Sequence, residues 1–436
     1  MVPWCGDVRL VRRGKGGKAM ANGEIDLESE HIADSAFWEA APAHRLAVFA
    51  ELRRAAPVRH FPPRVSRFSR ACTEFWAFTR YDDVRNANRN PRTYRSGLTI
   101  DIEEMPDELG EFYPSMINLD DPEHYRLRRL VSSGFTPRQT ARLDDALGAK
   151  AAAIVDGLIE RYGDGSEFDF VAEVAAPLPL QAIGDMMGVP ADEQHALLTW
   201  TNTAVSPDDP DVGIAGAAGA SRSLADYARR LGESRRSHPR DDLTSVLMAA
   251  EVDGERLTAK EFATFFILLV SAGNETTRNA ISHGMRLLTL FPDQRRAWFD
   301  DFEAHAASAA EEIVRFETPI TNMARVLTED VVVHGVHLAA GEKVALWYGS
   351  ANRDGDVFDE PDRFDVRRPV QPQQLGYGGG GPHFCLGANL ARREIVVMFD
   401  EIRRRIPDLQ IIGEPVRSLS MGLNGMRSLP ARLRCS

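Results

Sequence analysis

The chain has 436 residues, 43% of them hydrophobic and 27% charged, with a formal net charge of −12. That length and apolar content suit a large buried core in a soluble globular protein, and the acidic balance argues against general nucleic-acid binding. The longest apolar run, 265–270, falls well short of the roughly 20 residues a membrane span needs. Four scattered cysteines, Cys5, Cys72, Cys385 and Cys435, make no disulfide framework and suit a reducing cytoplasm.

Residues 1–22 are basic, contain glycine and have no apolar stretch of signal length, so a disordered tail is expected there. Residues 23–436 are expected to form one domain, because no Ser/Gly-rich or Pro-rich linker divides them. Residues 75–80 read as a strand that feeds a helix at Tyr81. Helical patterns follow at 122–134, 138–162, 168–188, 191–203 and 215–236.

The longest helix starts at Thr258-Ala-Lys-Glu261, a capping box, and runs to Leu290, before Phe291-Pro292. At ~1.5 Å per residue it spans on the order of 50 Å. Phe262, Phe265, Phe266, Ile267, Leu268, Leu269 and Val270 leave its first half no polar face, so it should be buried.

Ser271-Ala272-Gly273-Asn274-Glu275-Thr276-Thr277 then interrupts this apolar helix. Burying Glu275 without a partner is costly, and Gly273 weakens the helix by ~1 kcal/mol relative to Ala. A break in packing rules of this kind marks a candidate functional site. Residues 331–351 read as strand-rich with a turn at 340–341, and 408–436 as strands and turns.

Leu375-Gly-Tyr-Gly-Gly-Gly-Gly-Pro-His-Phe-Cys385-Leu-Gly-Ala-Asn-Leu-Ala-Arg-Arg-Glu394 is the most informative segment. The glycines 378–381 exclude helix or strand interior and make a loop whose backbone can approach a flat partner. Cys385 precedes an amphipathic helix, whose N-terminus favours a thiolate. One thiolate on such a loop suits an axial haem ligand. A linker carrying a buried thiol also fits these residues alone. No second cysteine or paired histidine stands at zinc spacing, and no Gly-Lys-Ser/Thr follows for a phosphate loop.

The segment resembles the haem-binding loop of the cytochrome P-450 superfamily. The likeness extends to the central helix, to Glu312-Ile-Val-Arg315, to the meander 351–364 and to Leu119-Asp-Asp-Pro-Glu-His-Tyr-Arg-Leu-Arg128. It implies a mainly α fold with small β-sheets and a long central helix across haem b. Cys385 would be the iron ligand, and His124, Arg128, Arg325 and His383 the propionate ligands. Gly387 leaves room beyond the thiolate, and Gly273 loosens the helix above the iron. Thr276 and Glu275 would deliver protons to O2. Glu312 and Arg315 would lock to a third residue, taken as Arg363. Tyr377 stands where Phe is usual, and the loop has one extra glycine.

The resemblance further implies a cytoplasmic monooxygenase served by a ferredoxin and its reductase. An acidic ferredoxin would dock on a basic patch of Arg126, Arg129, Arg392 and Arg393. Within the superfamily the likeness is to methyl-branched lipid omega-hydroxylases and sterol side-chain hydroxylases. A methyl-branched or isoprenoid lipid hydroxylated at its end is therefore expected, with a sterol or terpenoid as the alternative. Leu98, Ile100, Met116, Phe266, Leu269, Met421 and Leu423 would line the pocket, where Gly97, Gly422 and Gly425 admit a branch. A haem-based gas sensor is the non-enzymatic alternative, disfavoured by the absence of a signalling domain.

Overall fold

A computed structural model describes residues 25–65, 71–97, 99–112, 115–132, 135, 144–205, 207, 211–418 and 420–434. The expected tail at 1–22, the first residues of the 138–162 helix and Leu98 lie outside them, as do Cys5 and Cys435.

The capping box forms as its sequence requires. Thr258 accepts from the Glu261 amide, Glu261 accepts from the Thr258 amide, and the helix runs Ala259–Leu290. It is wrapped by other helices. Gly232, on the helix Gly213–Ser237, allows one close crossing: a Cβ there would lie 3.0 Å from the Phe262 ring. Gly284 allows another, since a Cβ would lie 2.8 Å from both Ile313 and Phe399. Those residues belong to the helices Phe302–Phe316 and Ala388–Arg405.

These contacts divide the helical core in two. Phe262, Phe265, Phe266, Ile267 and Val270 anchor one apolar cluster, and Ala280, Ile281, Met285, Leu287 and Leu288 the other. The polar stretch from Ser271 lies between them. Cys385 lies at the same junction, because Phe384 packs on the second cluster and Leu386 on the first.

A five-stranded sheet stands beside the helices, in the order Val58–Phe61, Phe75–Phe78, Lys343–Trp347, Asn322–Leu327, Tyr94–Arg95. Its strands alternate: Ala77, Ala324, Ala345 and Trp347 enter one cluster, and Phe78, Leu327, Val344 and Leu346 the other. Arg325 pairs across from Val344, so the sheet sets its position.

The expected helix over 168–188 is broken at its start. Glu167–Asp169 is a strand on Pro430–Arg432, followed by a π-helical turn, Val171–Ala175, and the helix Pro177–Met187. The carboxylate of Asp169 takes the Val171 and Leu429 amides, which helps hold the first residues to the C-terminal strands.

Glu312 and Arg315 are fully buried and paired through two hydrogen bonds, 2.7 and 2.9 Å. The third member is not Arg363. That side chain points to solvent and pairs with Glu360, and only its carbonyl receives Arg315. Arg368 instead donates to Glu312 Oε2 at 3.0 Å and to the carbonyls of Asp359, Glu360 and Arg363. Glu312 thus holds two guanidiniums, and both of them gather the meander's carbonyls. Removing one partner of a buried pair costs about 3 kcal/mol or more. Arg368→Ala should lower the denaturant midpoint accordingly, whereas Arg363→Ala should leave it unchanged within error.

Candidate functional site

The loop before Cys385 has all four glycines at positive φ, 94°, 64°, 101° and 81°. Three of them, Gly379 to Gly381, also approach protein closely. A Cβ on Gly381 would lie 2.1 Å from the Asn88 carbonyl, and one on Gly380 would lie 2.9 Å from Arg89 Nε. The glycines therefore seat the loop on the helix Tyr81–Arg89. From there the Cys385 amide donates to the Tyr377 carbonyl at 2.9 Å. Tyr377 is buried beneath the Arg392 guanidinium, which lies 4.4 Å from its ring centre.

The Cys385 side chain is accessible, yet protein crowds it closely enough for burial to push the thiol upward. The Gly387 amide, Arg128 and Arg392 pull it back down. A sulfur that is accessible yet desolvated suits the wall of a slot. The expected thiolate preference from the helix terminus is thus outweighed by desolvation in the protein alone. A Cβ on Gly387 would meet nothing within 4 Å, consistent with room beyond the sulfur. Among the described residues, no three His, Cys, Asp or Glu side chains gather as a metal-ion site would need.

Basic groups crowd one edge of this slot. His124 and His383 lie ring on ring, 4.2 Å apart. Burial, then the charges of His124, Arg325 and Arg128, hold His383 down at about 3. Burial likewise lowers His124. Its Nδ1 lies 3.4 Å from Asp121, and its Nε2 is buried without a partner. Arg128 donates to the Phe384 carbonyl at 2.7 Å. Arg325 is only 3% exposed and donates to the neutral oxygens of Ala324 and Asn88. Buried cations without a matching carboxylate call for an anion. Two propionates beside one sulfur ligand supply it, so the residues present fit haem.

On the central helix, Leu268 and Leu269 are partly open, Ala272 is exposed and Thr276 half-exposed, in a helix otherwise largely buried. Positions 268, 272 and 276 form one stripe at four-residue spacing. Thr276 Oγ1 donates to the Ala272 carbonyl at 2.7 Å. Glu275 is buried, and Arg278 and Asn279 donate to it. The helix is continuous through Gly273. A Cβ there would strike Ile183 at 2.1 Å, so this glycine serves helix packing.

The expected pocket residues divide. Met116 joins the cluster shared by Leu269 and Leu386. Ile100 and Leu423 are half-buried near the strand Asn322–Leu327. The Ile100 carbonyl accepts from Ala324, and Leu423 bridges Ile320. Phe266 is fully buried against Phe262 and Tyr227, and Met421 packs on the cluster of Trp347. Gly97 is packed on Asp120 and Gly425 on Ser418, so only Gly422 has open space for a branch.

Sequence reasoning missed Asn88, which receives Arg325 and the Tyr348 hydroxyl. It also gave no role to Glu394, although the motif contained it. Glu394 is fully buried beside Thr277 of the central helix, and burial pushes it up to about 8.

A slot with one accessible thiol, a cationic edge for two carboxylates and a crossing helix defines a haem-thiolate protein. The chain belongs to the cytochrome P450 family, whose members are haem monooxygenases. Residues 307–405 match the family model for cytochrome P450. The methyl-branched lipid omega-hydroxylase of Mycobacterium tuberculosis is 46% identical over 409 residues, 93% of this chain and 95% of that protein. The steroid C26-monooxygenase of Rhodococcus jostii is 39% identical, over 87% of this chain and 80% of that one. A solved Mycobacterium marinum cytochrome P450 in complex with pseudoionone superposes with a TM-score of 0.86. It shares 36% identity and covers 94% of this chain and 99% of its own.

Glu394 generates a test in the folded protein. Because its folded value of about 8 exceeds the ordinary 4.5, the folded state keeps a proton that the unfolded chain loses. Its stabilising contribution is full below pH 4.5 and is lost as pH rises through 8. Glu394→Gln should flatten the fall in melting temperature between these limits. An unchanged slope would remove Glu394 as its source.

Proposed function

We propose that this monooxygenase hydroxylates the terminal carbon of a methyl-branched or isoprenoid lipid. The observation that carries the reading is the near full-length likeness to the omega-hydroxylase, and the apolar stripe Leu268, Leu269 and Ala272 above the cysteine loop agrees with it. A lipid chain entering end-on meets methyl and methylene groups along this wall, which favours apolar contact over polar anchoring. A steroid side chain ends in a similar branched methyl group, and the likeness to the steroid enzyme keeps that substrate as the second reading.

In this reading Cys385 holds the cofactor, and His124, Arg128, Arg325 and His383 bind its carboxylates. Haem supplies O2 activation and insertion of one oxygen atom into an unactivated C–H bond. Thr276 presents a hydroxyl to the reacting oxygen while its own proton is held by the Ala272 carbonyl. Glu275 delivers protons once its carboxylate releases Arg278. The apolar wall keeps bulk water from the reacting carbon.

Two electrons per turnover come from a ferredoxin and its reductase, in a cytoplasmic setting. The expected docking patch is largely neutralised within the protein. Arg126 pairs with Glu255 and Glu261, Arg129 with Asp253, Arg392 with Glu311 and Arg393 with Asp144. A second candidate anchor for an acidic partner is the recess of about 320 Å³ beside Gly379, lined by Arg85 and Arg89 together with Asp82.

The reduced CO complex should carry the red-shifted Soret band of thiolate ligation. Cys385→Ser should abolish it, and Cys72→Ser should retain it; the reverse pattern would sink the ligand assignment. Substrate class is decided by product analysis. Farnesol should be hydroxylated at a terminal methyl, with binding a few-fold tighter than a straight chain of equal length. One buried methyl contributes about 0.8 kcal/mol. Mainly in-chain hydroxylation would overturn the assignment.

A further inference from the structure

The side of the central helix turned away from Thr276 carries a polar seam. Asn274 is 0% exposed, and neither its Nδ2 nor its Oδ1 has a hydrogen-bond partner. Ser271 Oγ and Arg278 Nε are likewise buried and unpartnered. These three residues stand at i, i+3 and i+7, a continuous stripe on one helix face. At roughly 100° per residue, Asn274 is turned about 160° from Thr276. It falls between Gly273, which packs on Ile183, and Arg278, which reaches Asn202 at 3.4 Å. The seam therefore lies where the helices Pro177–Met187 and Gln194–Ala204 meet the central helix. Glu275 borders the same stripe, three residues before Arg278 and four after Ser271.

Unpartnered polar atoms at one buried site are satisfied by ordered water when the site is polar and roomy. An amide with both ends free offers donors at its nitrogen and acceptors at its oxygen, the property needed to orient a water chain. Packing gives no reason for Asn274: a leucine of similar shape would leave no buried amide to satisfy.

We propose that Ser271, Asn274 and Arg278 form a hydrated conduit that brings protons from the Asn202 side to Glu275, with Asn274 as the positioning residue that orders its water. The proposal rests on the reading of Glu275 as the proton donor, with the Thr276 hydroxyl beside it, in oxygen activation. Each transfer passes a proton from one water to the next and finally to the Glu275 carboxylate, with no change in oxidation state.

The test uses haem-loaded enzyme with a surrogate ferredoxin–reductase pair, NADPH and farnesol. Asn274→Leu should keep the CO spectrum and the substrate-binding spectrum. Its coupling of NADPH to product should fall on the order of tenfold, below the 10²–10⁴-fold that a direct proton donor supplies. Its solvent deuterium isotope effect should rise, and its melting temperature should not fall. Asn274→Asp, which restores a polar group of the same size, should recover coupling. Should Asn274→Leu fail to bind haem, Ser271→Ala carries the same comparison.

Unchanged coupling and isotope effect in the seam variant, with Thr276→Ala uncoupled, would refute the conduit alone. Unchanged coupling in both variants would refute the donor reading and the conduit together.

Discussion

An excess of buried positive charge at the edge of the cysteine loop is the constraint on which this site depends. Burial can keep His124 and His383 neutral, and the low value of His383 reflects that. It cannot do so for Arg325 or Arg128, because a guanidinium stays charged. Arg325 has only neutral acceptors, so the energetic case for its position is completed by an anion the chain itself does not provide. Cofactor uptake and folding are linked through that deficit: whatever binds the folded slot and not the open chain stabilises the fold. The sulfur has the opposite deficit. Burial opposes its charge, and a metal cation beside it reverses the balance.

The loop is held by backbone contact. Four consecutive residues at positive φ place it against the helix Tyr81–Arg89, and any side chain at Gly381 would overlap a helix carbonyl. The same helix contributes Asn88 to Arg325. One short helix thus supports both the sulfur loop and the cationic edge, which makes their relative placement a property of the scaffold.

Much of this was legible because it rests on local rules. The capping box, the apolar first half of the central helix, the glycine run and the interruption at Glu275 follow from spacing and residue type, and the structure places them as expected. Where sequence reasoning failed, the decisive contact was long-range. Arg363 and Arg368 are both arginines in the meander, and only the folded chain turns Arg368 toward Glu312 and Arg363 toward solvent. Phe266 and Leu269 both belong to an unbroken apolar run, where periodicity cannot tell a pocket wall from a core position. Gly97 is expected to admit a substrate branch, yet it is filled by a neighbour distant in sequence, Asp120. Asn88 and Glu394 left no signal, since a polar residue on a surface-like helix pattern has no mark of burial.

The carboxylate of Glu261 has a significance beyond capping. One oxygen closes the first turn of the central helix, and the other receives Arg126 from the helix Glu123–Ser132. That second helix carries His124 and Arg128. A single acidic side chain therefore works as a tie-bar between the helix that carries His124 and Arg128 and the start of the central helix. One carboxylate thus fixes where the two helices meet.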